Sequence, residues 1–324
     1  MSNETDDDDI EGIGWITLQG RQLHNLSEYP FAPTLKEVDL TLNRLKEIEE
    51  KIHSLPNLRW LSMRQNLLTD ATPLLQLPNP PALEELVLSD NELKETPSFA
   101  AFTGLKKLDV SFNELRTLAP MADLASAPLV DLRFANNKVK VIEGLTQLTS
   151  LRSLELGSNR IRVIEGLDTL VQLEELYLGR NKIEEIQNLE NLTNLKRLGL
   201  QSNRITHIKG LESLVLLEEL QLSHNGITQI EGLATLENIL TLDLAGNKLT
   251  KIDNLEGQSS MEHLWLNDNE VESLDGLGEA LKACASVMNT LYLERNPAAG
   301  DAEYKSKICE ALPNLEQLDA LLVA

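Results

Sequence analysis

One asparagine recurs through this chain at a nearly constant interval, each time closing the phrase Leu-x-x-Leu-x-Leu-x-x-Asn with conservative aliphatic swaps. It falls at Asn43, Asn66, Asn91, Asn113, Asn137, Asn159, Asn181, Asn203, Asn225, Asn247, Asn269 and Asn296. From Asn137 to Asn269 every step is 22 residues; the earlier steps are 23, 25, 22 and 24, and the last is 27. Self-similarity at so short a period points to a stack of identical units, each in contact only with its neighbours.

The chemistry of the phrase says what each unit is. In Leu154-Glu155-Leu156 the apolar-polar-apolar alternation describes a short strand that buries the leucines and exposes the residue between them. Strands from successive copies then stack in parallel, about 4.8 Å apart. Asn159 follows where the chain turns out of the strand, and a side-chain amide buried there must find partners in the turns on either side. Ile161, Ile164 and Gly166-Leu167 return the chain along the outer side, and Ile183/Ile186, Ile205/Ile208 and Ile227/Ile230 repeat the pattern. A single copy with about five aliphatic side chains cannot offset its ordering entropy, at about 0.8 kcal/mol per buried methylene, but a stack can. The expected fold is an α/β solenoid of leucine-rich repeats. Its curved parallel sheet lines the concave face, with short helical or irregular segments on the convex side.

Such a stack needs lids. Residues 297–324 read as a C-terminal cap: Asn296-Pro297-Ala298-Ala299-Gly300 breaks the repeat and Asp301 is placed to N-cap a helix. That helix runs through Glu303, Tyr304, Ile308, Cys309 and Leu312 to near Pro313, with Cys309 expected in the cap core, followed by a half-repeat at Leu315, Leu318 and Asp319. Residues 13–34 read as an N-terminal cap around Leu18, Leu23 and Leu26, with Trp15 available to cover the first turn. Residues 35–296 hold the repeats, about twelve copies, and residues 1–12 an acidic tail expected to be disordered.

Charge and composition narrow the function classes. With 29 Lys+Arg against 51 Asp+Glu the formal net charge is −22, which disfavours nucleic acid as a partner because polyanions repel. The first residues have neither a basic start nor an apolar run, so no secretory signal is expected, and no run of about 18 apolar residues suggests a membrane span. Two cysteines, Cys284 and Cys309, are too few for a disulfide framework. The five histidines form no His-Glu-x-x-His, and there is no Gly-x-Ser-x-Gly elbow, phosphate loop or dinucleotide fingerprint. Gly276-Leu277-Gly278 reads as loop punctuation. No catalytic residue, metal ligand or cofactor site is assigned, and the chain is read as a non-enzyme.

What remains is the open face of the sheet. The residue four positions before each asparagine is placed mid-strand and pointing into the concavity: Asp39, Ser62, Val87, Asp109, Arg133, Glu155, Tyr177, Gly199, Gln221, Asp243, Trp265 and Tyr292. Two positions earlier lie Glu37, Trp60, Glu85, Lys107, Asp131, Ser153, Glu175, Arg197, Glu219, Thr241, His263 and Thr290. Most of these charges fit a solvated face. The aromatics do not, because the chain has only twelve, and exposed Tyr and Trp beside small residues are the anchors that dominate interfaces. Acidic neighbours such as Asp109, Glu155 and Asp243 would steer a partner bearing basic residues.

The strict 22-residue copies, the stretch Leu154-Glu-Leu-Gly-Ser-Asn-Arg-Ile-Arg-Val-Ile-Glu-Gly-Leu167, the ending Leu291-Tyr-Leu-Glu-Arg-Asn-Pro297 and the cap Ala311-Leu-Pro-Asn-Leu-Glu-Gln-Leu-Asp319 resemble the protein phosphatase 1 regulatory subunit 7 family, over about residues 35–324. The resemblance implies a non-catalytic partner that grips the type-1 Ser/Thr phosphatase catalytic subunit with its concave face. It further implies roles in phosphatase maturation and mitosis, and a ternary complex with an inhibitor polypeptide. The chain would be monomeric alone, with a nuclear and cytoplasmic address. Carried over by position, the family's contact acids match Asp109, Glu155 and Asp243 and its aromatics match Tyr177, Trp265 and Tyr292. Two positions depart: Arg133 stands where an aromatic is expected and His263 where an acid is expected. The alternatives are a leucine-rich-repeat adaptor for a cytoskeletal, ciliary or ribonucleoprotein assembly, and an acidic chaperone-like binder of basic proteins.

Overall fold

The structure, a computed structural model, describes residues 14–323, and the acidic tail at 1–12 lies outside them. The chain divides into two compact units, residues 1–154 and 155–324. Each is a parallel-strand solenoid.

Unit 1 carries β1 (Trp15–Thr17), β2 (Glu37–Asp39), β3 (Trp60–Ser62), β4 (Glu85–Val87), β5 (Lys107–Asp109) and β6 (Asp131–Arg133). All pair in parallel and in sequence order, residue against equivalent residue. The strand β7 (Ser153–Glu155) holds the point of division. Unit 2 carries β8 (Glu175–Tyr177), β9 (Arg197–Gly199), β10 (Glu219–Gln221), β11 (Thr241–Asp243), β12 (His263–Trp265) and β13 (Thr290–Tyr292), again parallel and in order. A short strand, β14 (Gln317–Leu318), adds to β13, and β15 (Leu321–Leu322) returns antiparallel.

Three-residue strands decide which way side chains point. From β2 to β13 the middle residue, Val38 or a leucine, is fully buried, and its two neighbours face away from the core. The register corrects one expectation: the residue four before each asparagine ends its strand instead of centring it, while the outward direction is as read. Small 3-10 segments, among them Thr72–Gln76 and Ala119–Ser126, return the chain in unit 1, where the spacing is irregular.

The asparagine acts as a rung. Asn181 donates from Nδ2 to its own turn at Leu178 O (2.9 Å) and to the preceding turn at Leu156 O (3.0 Å), while its Oδ1 accepts the Ile161 N–H (3.0 Å). Asn113 repeats this in unit 1 with Val110 O, Leu88 O and Leu93 N–H. The residue before each rung adopts a left-handed conformation, including Leu42, Phe112 and His224 with φ between 54° and 61°. Such a φ is disfavoured for L-residues. It is held because the same residue's N–H completes a turn-to-turn bond, as Arg180 N does to Gln201 O (2.7 Å) and His224 N to Ala245 O (2.8 Å). Gly232 marks the outer return: its φ is +70° and a Cβ there would stand 2.3 Å from the Ile208 carbonyl oxygen, so only glycine fits.

The ends differ in detail from the reading. Trp15 opens β1 and is 57% exposed, so it covers nothing; Leu18 and Leu26 are buried beneath that turn instead. The loop after it is held by Lys51, whose Nζ donates to the carbonyls of Leu26, Ser27 and Tyr29 at 2.7, 2.8 and 2.7 Å. At the C-terminus α1 (Leu277–Ala280) opens behind left-handed Gly276, so Gly276-Leu277-Gly278 starts a helical turn, and α2 (Tyr304–Ala311) packs beside it. Glu303, not Asp301, is the residue at the N-cap of α2; Asp301 accepts the Glu303 N–H (2.8 Å) and the Lys307 ammonium (2.7 Å) two residues ahead of the helix. Ile308 and Leu312 are the buried cap residues, whereas Cys309 is half-buried on the flank. Asp319 closes the last turn, with Oδ1 accepting the N–H groups of Leu293 (2.7 Å) and Glu294 (2.8 Å) and Oδ2 accepting the Tyr304 hydroxyl (3.0 Å). Burial, reinforced by the Asp319 charge, pushes the Tyr304 phenol well above the ordinary tyrosine range.

Candidate functional site

The outward residues at the strand ends form the only repeated side-chain row with aromatic members among the described residues of unit 2. Register places Asp243, Trp265 and Tyr292 next to one another on β11, β12 and β13. The Trp265 and Tyr292 rings meet edge to face, 6.5 Å between centroids at 84°, an arrangement that aromatic quadrupoles favour. Both are half-buried, and the Tyr292 oxygen accepts a bond from the Gln317 amide, which holds the phenol in place. His224, Asn267 and Arg295 border the same shallow groove. Arg295 is already bound to Asp268, Nε to Oδ1 at 2.6 Å and Nη2 to Oδ2 at 2.8 Å, and that guanidinium holds the Asp268 carboxyl below the usual range.

Asp243 is the most enclosed acid on this face, only 8% exposed. Burial pushes its carboxyl above the usual range, against the Ser223 hydroxyl and the Ala245 N–H (3.0 Å), which favour the charged form. Among the described residues no Lys or Arg forms an ion pair with it. Tyr177, at the end of β8, is half-buried as well. Its phenol is raised chiefly by burial, against the lowering effect of the Arg197 guanidinium, which pairs with Glu175. Glu155, at the end of β7, accepts the Gly157 N–H at 2.7 Å. His263 sits at the start of β12, at the opposite end of that strand from Trp265, with Nε2 3.9 Å from the Glu262 carboxylate.

In unit 1, Asp109 and Arg133 are register partners on β5 and β6 and line one groove with Glu85 and Lys107. Arg133 does not stand open: Nε and Nη2 grip the two Asp131 oxygens at 3.2 and 3.0 Å, and its pKa is raised first by that bond. Lys107 pairs with Glu85 at 3.6 Å. This groove of unit 1 thus holds two internally matched charge pairs.

The sequence reading placed one aromatic in the outward rows without singling it out, and it missed a shared duty of the acids. Trp60, at the start of β3, lies half-buried on the outward face of unit 1, between its register partners Glu37 and Glu85. The strand-end acids also share a local duty. Asp39, Asp109, Glu155 and Asp243 each accept the N–H two residues on, from Thr41, Ser111, Gly157 and Ala245 at 2.9, 2.9, 2.7 and 3.0 Å. An acid followed two residues later by a small residue is the signal that would have revealed it.

Residues 149–193, 171–213, 193–235 and 215–257 match the family model described as leucine rich repeats (2 copies). Those residues are similar to the leucine-rich-repeat family, and the chain has the leucine-rich-repeat fold. An Arabidopsis thaliana protein named protein phosphatase 1 regulatory inhibitor subunit PPP1R7 homolog is 43% identical over 158 residues, 47% of this chain and 48% of the relative. The match therefore spans about half the length of that relative, and over that stretch the repeats of this chain are similar to those of the PPP1R7 homolog. Among solved structures, an internalin, InlF of Listeria monocytogenes, aligns with a TM-score of 0.81 at 25% identity over 97% of this chain and 88% of its own. A leucine-rich-repeat protein of Leptospira interrogans aligns with a TM-score of 0.71 at 23% identity over 94% and 95%, a likeness of fold alone. Scaffolds of this kind work by presenting a surface. Among the described residues no group of three His, Cys, Asp or Glu side chains is disposed to hold a metal ion, and no helix is long and apolar enough to cross a membrane. Cys284 is buried, with its thiol pushed up to about 11 by burial.

Proposed function

We propose that this protein is a non-catalytic regulatory subunit that binds the catalytic subunit of protein phosphatase 1 through the outward strand faces of its repeats. The observation that carries the reading is the Trp265–Tyr292 pair, two half-buried rings in edge-to-face contact beside an enclosed carboxylate that no Lys or Arg among the described residues pairs with. An isolated fold gains nothing from leaving such rings wet. A partner gains anchors, and a partner Lys or Arg would complete Asp243. The name of the Arabidopsis relative supports the choice of partner.

On this reading Trp265, Tyr292 and Tyr177 are the apolar anchors in unit 2, with Asp243, Glu155 and His263 as its polar contacts. Asp109 and Arg133 serve from unit 1. The acids' local bonds to backbone N–H groups aim one oxygen at the turn, so each acid meets the partner already oriented. Arg133, gripped by Asp131, offers a neutralised pair in place of an aromatic ring and contributes less than the anchors. A ternary complex with an inhibitor polypeptide, and a nuclear and cytoplasmic address, belong to the same proposal.

Calorimetric titration of the full chain against the phosphatase catalytic subunit tests it. Trp265→Ala and Tyr292→Ala should each weaken binding by about 2 kcal/mol or more, roughly thirtyfold. Wild-type affinity in both variants, or no binding by the wild-type chain, overturns the reading.

A further inference from the structure

The strand-end row of unit 2 runs Glu155, Tyr177, Gly199, Gln221, Asp243, Trp265, Tyr292, and one glycine interrupts it. That glycine has no backbone reason to be there. Gly199 lies inside a strand and is absent from the glycines with positive φ, so its conformation is open to any residue. Glycine in a strand weakens it, and a β-branched residue would strengthen it.

What the missing side chain leaves is a seat. A Cβ on Gly199 would stand 3.0 Å from Tyr177 Cδ1, 3.1 Å from Gln201 Oε1 and 3.7 Å from Gln221 Oε1. Tyr177 leans from β8 over the neighbouring strand and occupies the space a side chain at 199 would take. The Arg197 guanidinium, two residues earlier on that same strand and paired with Glu175, acts electrostatically on the phenol. The ring edge is therefore seated on β9 by the vacancy over Gly199. Its counterparts Trp265 and Tyr292 need no such seat, since they brace each other.

We propose that Gly199 is a positioning residue of the docking face: its missing side chain lets the edge of the Tyr177 ring settle over β9, and so fixes the orientation of that anchor. This rests on reading the strand face as the docking surface. Gly199 itself contributes no contact; it acts through Tyr177.

The test uses the full chain, with Gly199→Ala and Gly199→Val made alone and on a Tyr177→Ala background. Without any partner, ring-labelled tyrosine gives an NMR signal for Tyr177, assigned with Tyr177→Phe. In G199V that signal should move while those of Tyr29, Tyr292 and Tyr304 stay, with a thermal midpoint equal to or above wild type. Against the phosphatase catalytic subunit G199V should bind about tenfold more weakly and G199A by a smaller factor, whereas on the Y177A background G199V should change affinity by less than about twofold. An unmoved Tyr177 signal overturns the proposal. So does a full tenfold loss that persists without Tyr177, which would mean that valine itself obstructs the partner. If Y177A alone binds as wild type, the docking reading fails at this residue, and the NMR signal still decides what Gly199 does to the ring.

Discussion

The two units differ in whether aromatic rings enter the core. All five phenylalanines lie in unit 1, and three of them, Phe99, Phe102 and Phe134, are completely buried. Unit 2 has no phenylalanine; Tyr177, Trp265 and Tyr292 lie half-buried on its strand face, and Tyr304 ties down its cap. The core of unit 2 is consequently aliphatic, and aliphatic side chains of nearly equal volume permit an unvarying 22-residue step through most of it. Unit 1 has steps of 22 to 25 residues and longer outer segments, and rings fill the extra room. Phe99 and Phe102 meet edge to face at 5.8 Å. The strand faces differ too: charges around a single tryptophan, Trp60, in unit 1, and rings beside an enclosed acid in unit 2. Irregular packing thus takes rings into the core, and regular packing leaves the core aliphatic.

The contrast is sharpest where a ring is removed. Phe102→Ala opens a cavity in the core of unit 1 and should destabilise the protein by about 3–5 kcal/mol, read as a large fall in thermal midpoint. Trp265→Ala, an equally large truncation on the face of unit 2, should leave that midpoint nearly unchanged while binding falls roughly thirtyfold. If the two variants lost stability alike, the division of labour between inward and outward rings would be wrong. A smaller effect belongs to what the units share. Asn181→Ala strands the Ile161 N–H and two carbonyls that the amide had satisfied, so a loss of about 1–3 kcal/mol is expected in chemical denaturation. Asn113→Ala should match it in unit 1, since its three bonds are the same.

How much of this was legible in the sequence follows from what a repeat transmits. Period, strand direction, the asparagine rungs and the outward set were readable because each is written twelve times and errors cancel. Features that occur once were not. Trp15 looked like a lid because an end needs covering, but the first strand presents its first residue outward like every other strand, so the tryptophan stays wet. Asp301 looked like a cap by residue type, and the chain takes two further residues before α2 begins. On the face, the sequence told which side chains point out but not which would be covered by their neighbours. Asp243 counted as an open acid until the rows beside it closed over it.

That closure sets the last and smallest expectation. Burial raises the Asp243 carboxyl above its ordinary value, so the folded state binds its proton more tightly than the unfolded chain does. The group's relative contribution to stability is then greatest below the unfolded-state pKa and is lost as pH rises through the raised, folded-state value. At neutral pH the ionised form is a modest burden on unit 2. Asp243→Asn keeps an oxygen for the Ala245 N–H and removes the charge, so thermal unfolding at pH 7 should be unchanged or slightly later than wild type, with the difference shrinking as pH falls toward 4. Binding should move the other way, weaker for the asparagine variant at neutral pH, because a partner cation loses its counter-charge. Asp109→Asn is the control from unit 1, a half-buried carboxylate with the same backbone bond and Arg133 as its neighbour. It should show no stabilisation at pH 7. Equal behaviour in the two variants would mean that enclosure does not distinguish the acid beside the aromatic pair, and that the acidic faces of the two units are interchangeable after all.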